Sequence, residues 1–540
     1  MPDKEFNLLH EPWIMVMKHD GSTGEVSILD AFRHAHEYRS IAGELPTQDV
    51  AVLRLLLAIL HAVFGRVDTQ GQYAPLCEGD ADQALDRWES LWNAGQFPMQ
   101  PIERYLTNPK IEERFWLFHP ETPFYQVAKM IGGTEYSAAK LNGVLSESGN
   151  KSKWFSPCTG KAKETLTYSE AARWLLNINA FDDTSAKPTR GLNLPSVGAG
   201  WLGKLGIVYA NGNNLFETII LNYIVLKNGT ELYGPENPVW ERPVKTDERS
   251  EIAYPDNLSE LYTLQSRRLL LKRIDDVVTG FRLLGGDFFQ KENALIEPMT
   301  IWKNTAKKES DPKLLVPKRH DAERQIWRDF ASLVTQKSNH VRPGIVDWIN
   351  VLSSDTSGYL LNAEKCIHFR TPGIAYADKD FFIDDIIDDT LTIHTKLLSK
   401  LAEHYVERVI NQIEICDELV KQLGFLAKSI QLASGAGKED KQPDGAKSNA
   451  MTLGYAGLDN PFRVWLETII PDKTDIDKAC DNWWKIARKI IRDIGRTLIS
   501  QASSKAFISH SDYKTSPEAY NWFLYITSSR EILLKKGGKK

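Results

Sequence analysis

The sequence predicts an α+β protein with a large mixed α/β N-terminal domain followed by a C-terminal four-helix bundle. The chain has 540 residues, more than one hydrophobic core usually organises, so two or more domains are expected. Strand and helix signals alternate through the first two-thirds, whereas from about Asp384 the hydrophobic spacing is nearly all helical. We therefore divide the chain into a mixed domain over residues 1–383 and a helical domain over residues 384–540.

Composition and charge are those of an ordinary globular protein. The formal net charge is −5, so any nucleic-acid binding would have to use local basic patches. The five cysteines form no CxxC pair, which argues against a disulfide framework and a structural zinc site. We recognise no signal peptide and no apolar run of the ~20 residues that a membrane span needs. We expect a soluble cytoplasmic protein without membrane association.

The N-terminal elements begin with a strand, a glycine turn and a second strand, over Trp13–Met17 and Glu25–Ile28. A predicted N-cap at Thr47 and a glycine at Gly65 bound a long apolar run, which indicates a buried helix. Further helices are predicted over Ala81–Ala94 and Thr167–Ala180, and further strands over Leu261–Arg273 and Val277–Leu284.

The stretch Gly191–Gly206 holds five glycines, with Lys204 inside it and Arg190 beside it. Glycine tolerates positive φ and lets another backbone approach closely. Such a segment suits contact with a phosphate backbone or with the floor of a DNA groove, and a plain turn-rich connection is the alternative interpretation. The glycine spacing matches neither a dinucleotide-binding fingerprint nor a P-loop.

A second polar segment, Leu145–Lys163, carries Trp154 and Phe155 between lysines. Basic side chains around exposed aromatic rings can hold phosphates and stack on bases. A surface loop with a hydrophobic anchor is the alternative interpretation.

The C-terminal third repeats apolar residues at helical spacing. Helices are predicted from Leu398 to Leu423, over Pro461–Ile470, from Thr474 to Leu498 and over Ala519–Leu534, with a disordered linker over Ala433–Ser448. The third of these helices places four basic residues on one face, and we call them the basic stripe: Lys485, Arg488, Arg492 and Arg496. The stripe is either a DNA contact or a solvated surface.

No catalytic set is recognisable. The dipeptides His19-Asp20 and His320-Asp321 suggest a metal-dependent HD-type phosphohydrolase or nuclease, but they lack a set of further ligands. A run of four aspartates would lie on one side of a helix: Asp384, Asp385, Asp388 and Asp389. They could form a metal site, or they could be the acidic first turn of that helix. We predict neither catalytic residues, nor a metal site, nor a cofactor.

Several segments together resemble the CasA family, the large subunit of the type I-E CRISPR surveillance complex Cascade. The resemblance rests on their order and spacing across most of the chain, and they are Phe6–Ile14, Arg114–Gln126, Ala171–Phe181, the glycine-rich stretch with Asn214–Asn222, Tyr262–Arg268 and Glu297–Trp302.

The resemblance implies a non-catalytic subunit that reads the protospacer-adjacent motif (PAM) of foreign double-stranded DNA from the minor-groove side. It implies that the protein helps to open the duplex and recruits a separate helicase-nuclease. The implied partners are the other Cascade subunits, the CRISPR RNA and double-stranded target DNA. A pure scaffold without DNA contacts is a third hypothesis.

The resemblance also carries roles to particular residues. The family's glycine loop corresponds to Pro195, Ser196, Val197, Gly198, Ala199 and Gly200. Its minor-groove basic residue corresponds to either Lys291 or Arg282, and its nucleic-acid loop to the segment of Trp154 and Phe155. Its strand-separating wedge corresponds to Lys379 and Asp380, where the family commonly has a glutamine.

Overall fold

The computed structural model describes residues 4–142, 145–146, 151–152, 164–184, 194–306, 314–335, 341–354, 357–358, 360–362, 365–377, 379–437, 439–508 and 514–537. The chain divides into two compact units. The first comprises Met1–Ala322, Gln336–Asn362 and Ile367–Thr390, and the second Glu323–Thr335, Ala363–Cys366 and Leu391–Lys540. The predicted fold class is confirmed, because helices and strands mix in the first unit and long helices pack together in the second.

The described helices are α1 Ile28–Arg33, α2 Pro46–Phe64, α3 Ala81–Ala94, α4 Met99–Leu106, α5 Pro109–Glu112, α6 Ala138–Leu141, α7 Tyr168–Phe181, α8 Leu215–Leu221, α9 Leu258–Tyr262, α10 Phe330–Val334, α11 Gly344–Leu352, α12 Glu403–Ala433, α13 Lys441–Glu467, α14 Ile476–Ser500, α15 Ser516–Ile526 and α16 Arg530–Gly537.

The described strands are β1 Glu5–Asn7, β2 Ile14–Lys18, β3 Thr23–Val26, β4 Tyr38–Ile41, β5 Trp116–Phe118, β6 Thr134–Ser137, β7 Leu145–Ser146, β8 Lys151–Ser152, β9 Tyr209–Asn211, β10 Leu226–Lys227, β11 Glu231–Leu232, β12 Arg267–Ile274, β13 Val277–Gly285, β14 Trp302–Asn304, β15 Leu315–Pro317, β16 Cys366–Ala377 and β17 Phe382–His394.

Helix α2 is the central helix of the first unit. It is long and apolar enough to cross a membrane by composition alone, but its apolar stretch is entirely buried inside the protein. The predicted N-cap at Thr47 is wrong: the helix begins at Pro46 after Leu45, since proline's fixed φ suits the first helical turn. Buried Arg54 on this helix donates two hydrogen bonds to Glu297, of 2.9 and 3.0 Å. This ion pair connects the helix to the segment that precedes β14.

The strands of the first unit form small antiparallel sheets of two or three strands. The predicted strand–turn–strand near the N-terminus is confirmed as β2 and β3, with Gly21 at a φ of 85° in the turn. Strand β13 lies between β12 and β6, and β16 lies between β17 and β9. The strand expected from Leu261 begins only at Arg267. The residues before Arg267 form the end of helix α9 and the turn that follows this helix.

The aspartate run does not begin a helix. Asp384, Asp385, Asp388 and Asp389 all lie in strand β17, so the predicted one-sided helical arrangement is wrong. Side chains alternate between the two faces of a strand, so neighbouring aspartates point to opposite faces. β-branched residues between the two acidic pairs favour the extended conformation.

The second unit is a helical bundle in which α12 packs against α13, α14, α15 and α16. Its centre includes an aromatic cluster, with Phe462 4.3 Å from Trp327 and 5.3 Å from Trp483 between ring centroids. Leu401, expected on the buried face, is 96% exposed because the long helix begins only at Glu403. The predicted fourth helix is divided into α15 and α16 around residues 527–529.

The second half of the expected linker over Ala433–Ser448 is helical. Helix α13 begins at Lys441, and within its first ten residues only Pro443 and Ala450 are buried. The sequence there is polar and contains glycine, so its own helical propensity is low. Packing against α12 stabilises the helix, and an isolated segment lacks this contribution.

Candidate nucleic-acid interface

The glycine-rich ribbon, defined here as Pro195–Gly206, owes most of its glycines to close packing. A Cβ at Gly200 would collide with the backbone of Ala180, and one at Gly206 with the carbonyl of Lys318. At Gly203 it would collide with the Tyr376 hydroxyl, which donates a 2.5 Å hydrogen bond to the carbonyl of Phe181. None of these three glycines has a positive φ. They are therefore required for space and not for an unusual backbone conformation.

Gly198 differs from these three glycines. A Cβ there would lie 3.3 Å from Cε and 3.6 Å from Nζ of Lys204, the flexible end of a side chain. Pro195 and Ser196 are exposed and Gly198 is half-buried, while Val197 and Ala199 are buried. The ribbon thus has one exposed edge, and the Lys204 side chain lies beneath it.

Two arginines hold the ribbon in place. Arg249 donates a hydrogen bond to the carbonyl of Pro195, and Arg267 donates one of 2.9 Å to the carbonyl of Gly198. The Gly200 amide donates to the carbonyl of Asp182 at 2.9 Å. These bonds fix the backbone on both sides of Gly198, so the exposed edge is supported by a rigid base.

Lys204 is surrounded by positive charge. Burial of its ammonium, followed by repulsion from Arg267, Lys291, Arg249 and Arg319, lowers its pKa to about 8. Arg267 and Arg319 have carboxylate partners, namely Asp182 and Asp380. The other three cations, Lys204, Arg249 and Lys291, form no ion pair in the part of the chain that the structure describes. The result is a positively charged site under the ribbon.

The two candidate minor-groove residues occupy different environments. Lys291 is exposed in the segment after β13 and is close enough to Lys204 to lower its pKa. Arg282 lies within β13, where it donates to the carbonyl of Met130 at 3.0 Å and to Glu135 at 2.8 Å. Lys291 therefore belongs to the cationic site, whereas Arg282 is already engaged within its own sheet.

Lys379 and Asp380, the predicted wedge, form the turn between β16 and β17. Both have positive φ, of 58° and 70°, and their carbonyls accept hydrogen bonds from Thr184. Lys379 is exposed, whereas the Asp380 carboxylate is paired with Arg319. Among the described residues, the Lys379 ammonium at the tip of this hairpin forms no ion pair.

The basic stripe on α14 is mostly engaged in contacts within the bundle. Arg488 donates to the carbonyl of Ser528, and Arg492 to the carbonyl of Leu524 at 2.6 Å. Both bonds satisfy carbonyls at or beyond the C-terminal end of α15. Arg496 pairs with Asp493 on its own helix, and Lys485 is exposed.

Trp154 and Phe155 of the predicted nucleic-acid loop lie outside the described residues, whereas both HD dipeptides are described. His320 contacts the carbonyl of Ile207 at 2.7 Å through Nε2, and Asp20 accepts hydrogen bonds from Ser22 in a turn. Among the residues that the structure describes, no group of three or more His, Cys, Asp or Glu side chains could hold a metal ion.

Sequence reasoning missed Arg249 and Arg319 as parts of this site. Both lie in irregular segments without a recognisable motif, and Arg249 follows Pro195, whose carbonyl it binds, by 54 positions in the sequence. Lys204 was visible because it lies inside the glycine-rich stretch. Its unusual environment depends on residues from four other segments of the chain.

Solved structures similar to this chain include CRISPR-associated proteins. Cse1 of Thermobifida fusca is 30% identical, with a TM-score of 0.81 and coverage of 98% of both chains. A chain of a solved CRISPR RNA-guided surveillance complex is 18% identical and has the same fold. The TM-score is 0.70, and the match covers 98% of this chain and 100% of that chain.

The family follows from the sequence comparison. A family model described as CRISPR-associated protein Cse1 matches residues 7–494. The CRISPR-associated protein CasA/Cse1 of Thermus thermophilus is 32% identical over 438 residues, which cover 80% of this chain and 78% of that protein. The chain belongs to the CRISPR-associated Cse1 family, and the resemblance seen in its sequence is confirmed.

Proposed function

We propose that this chain is the non-catalytic large subunit of a CRISPR RNA-guided surveillance complex and that it recognises the PAM of foreign double-stranded DNA. The main support is the exposed edge of the ribbon above three cations that have no carboxylate partner in the described part of the chain. Proteins position themselves on DNA through phosphate contacts, and these need accessible positive charge. The fold shared with a chain of a surveillance complex supports the assembly.

The proposal assigns PAM reading and nucleic-acid contacts to the mixed domain over residues 1–383. Pro195–Gly200 contacts the groove, Lys291 enters it, and Lys379 at the hairpin tip separates the strands. Asp380 then serves to position the tip through Arg319. Minor-groove readout is degenerate, so several flanking sequences should be accepted. The partners are the other Cascade subunits, the CRISPR RNA, the target duplex and a helicase-nuclease that the assembled complex recruits.

Reconstitution with the other subunits and a guide RNA tests this function. Binding is measured for duplexes that share one target and differ only in the flanking bases. We expect the affinity to vary with those bases and the variation to weaken when Gly198 is replaced by leucine. Equal affinity for all flanking sequences would refute PAM reading.

A metal-dependent phosphohydrolase is the competing proposal. No described cluster of metal-ligating side chains supports it. Incubation of the purified chain with Mn²⁺ and single-stranded DNA provides the direct check, with His320→Ala as the matched variant. Cleavage that this variant abolishes would favour the enzyme over the binding subunit.

A further inference from the structure

The cationic site contains more positive charge than the fold neutralises. Lys204 faces Arg267 from β12, Arg249 and Lys291 from the segments on either side of the β12–β13 pair, and Arg319 from the segment after β15. The carboxylates paired with these cations in the described structure are Asp182, on Arg267, and Asp380, on Arg319, and the Glu251 carboxylate acts on Arg249 without an ion pair. None of the three pairs with Lys204 in the described structure.

Arg249 provides a second, independent observation. It is 6% exposed, and its Nε atom is buried without a hydrogen-bond partner. One of its terminal nitrogens donates to Pro195, and its guanidinium lies 4.2 Å from the ring centroid of Phe288. An unpartnered buried guanidinium donor costs free energy, and a bound acceptor would recover it.

We propose that Lys204 and Arg249 form a binding site for one backbone phosphate of the target DNA at the exposed edge of the ribbon, beside Lys291. The phosphate takes the place of the carboxylate that these cations lack. Phosphate is a multivalent acceptor and matches an ammonium beside a guanidinium. Because Gly198 has no side chain, no Cβ lies over the end of the Lys204 side chain at the exposed edge of the ribbon. This inference rests on the proposed DNA-binding function.

The site couples DNA binding to protonation of Lys204. In the free protein, burial and the surrounding cations hold the pKa of this lysine near 8. The negative charge of a backbone phosphodiester favours the ammonium form and returns the pKa towards its ordinary value. Binding above pH 8 therefore takes up a proton, and the affinity falls as the pH rises through this range.

The test measures affinity of the assembled complex for a duplex target at constant ionic strength between pH 7 and pH 9. We expect the affinity to fall about tenfold over this range, since an unprotonated lysine must first bind a proton. Lys204→Arg should abolish this dependence while retaining binding, because the guanidinium stays charged. The complex with Lys204→Met should bind the duplex more weakly at pH 7, and its affinity should not fall between pH 7 and pH 9. Lys272→Met is the matched control, because Lys272 is exposed and already paired with Glu135.

The outcomes separate this inference from the proposed function. A pH profile of Lys204→Met identical to that of the unaltered complex would overturn the phosphate site, even where flanking-sequence preference persists. A Lys204-dependent profile without any flanking-sequence preference would support the phosphate site and refute PAM reading. Absence of duplex binding at every pH would refute both.

Discussion

Arg319 and Asp380 form a two-point ion pair, with Nη1–Oδ1 and Nη2–Oδ2 distances of 2.7 and 2.8 Å. Asp380 lies in the turn between β16 and β17, so the pair attaches this hairpin tip to the segment that follows β15. The Arg319 guanidinium also lies 5.0 Å from the ring centroid of Tyr376. The carboxylate that the sequence places at the tip is thus neutralised within the protein.

We predict that Asp380→Asn releases Arg319 while preserving the turn, because asparagine also adopts positive φ readily. Both partners are partly exposed, so the loss of stability should be about 1 kcal/mol or less. The freed guanidinium should raise duplex affinity roughly threefold at low salt. Asp388→Asn is the control, since Asp388 pairs with Arg370 within the same two strands. An equal gain in the control variant would argue against a role for the tip.

Substitution by alanine should destabilise the folded protein more at Gly200 than at Gly198. Gly200→Ala places a methyl group against the backbone of Ala180, which cannot move independently, and should cost about 2–4 kcal/mol of folding free energy. Gly198→Ala meets only the end of Lys204 and should cost less than about 1 kcal/mol. Chemical denaturation of both variants measures the difference. Similar losses at the two positions would show that the ribbon does not pack as described.

Lys204→Met should stabilise the protein at neutral pH. The folded-state pKa of Lys204, about 8, is lower than the ordinary lysine value of 10.5, so the folded state binds fewer protons than the unfolded state between these values. Stability of the unaltered protein should therefore rise across this pH window, and the destabilisation is fully present below pH 8. We expect the variant to gain on the order of 1–3 kcal/mol at pH 7. The gain should disappear near pH 10.5, as thermal unfolding over a pH series would reveal.

Lys291→Ala and Arg282→Ala should separate the two candidates for the minor-groove residue. Removal of the exposed Lys291 side chain should weaken duplex binding. It should also reduce the slope of log affinity against log salt concentration by about one, since one fewer counterion is released. Arg282→Ala should leave both quantities unchanged, because Arg282 is bound to Met130 and Glu135. The measurement is affinity as a function of salt concentration for the assembled complex. A larger effect at Arg282 would reverse the assignment.

Arg492→Ala should act on stability and not on DNA binding. The variant loses hydrogen bonds to the carbonyl of Leu524 and to Thr527, and we expect a cost of about 1–2 kcal/mol. Arg496→Ala removes only an exposed pair within α14 and should change stability by less than about 0.5 kcal/mol. Thermal unfolding and duplex affinity are compared for both. Reduced affinity without reduced stability in Arg492→Ala would indicate that the stripe contacts DNA.

Much of the architecture could be predicted from local patterns. The helical spacing of apolar residues in the last third predicts the bundle, since residues on one face of a helix recur with a period of 3.6 residues. The same reasoning failed at the aspartate run, because two acidic pairs around isoleucines suit either a helix terminus or an exposed strand. It also failed at Ala433–Ser448, where packing against α12 outweighs low helical propensity.

The sequence by itself determined the α+β class, the helical bundle and the glycine-rich stretch, because propensity, periodicity and composition are local properties. Only the tertiary structure decided that Gly200, Gly203 and Gly206 serve close packing and that Gly198 lies over Lys204. It also decided that Arg249 and Arg319 join the cationic site. These relationships depend on distances between segments far apart in the chain, and electrostatic repulsion and steric exclusion act through space and not along the backbone.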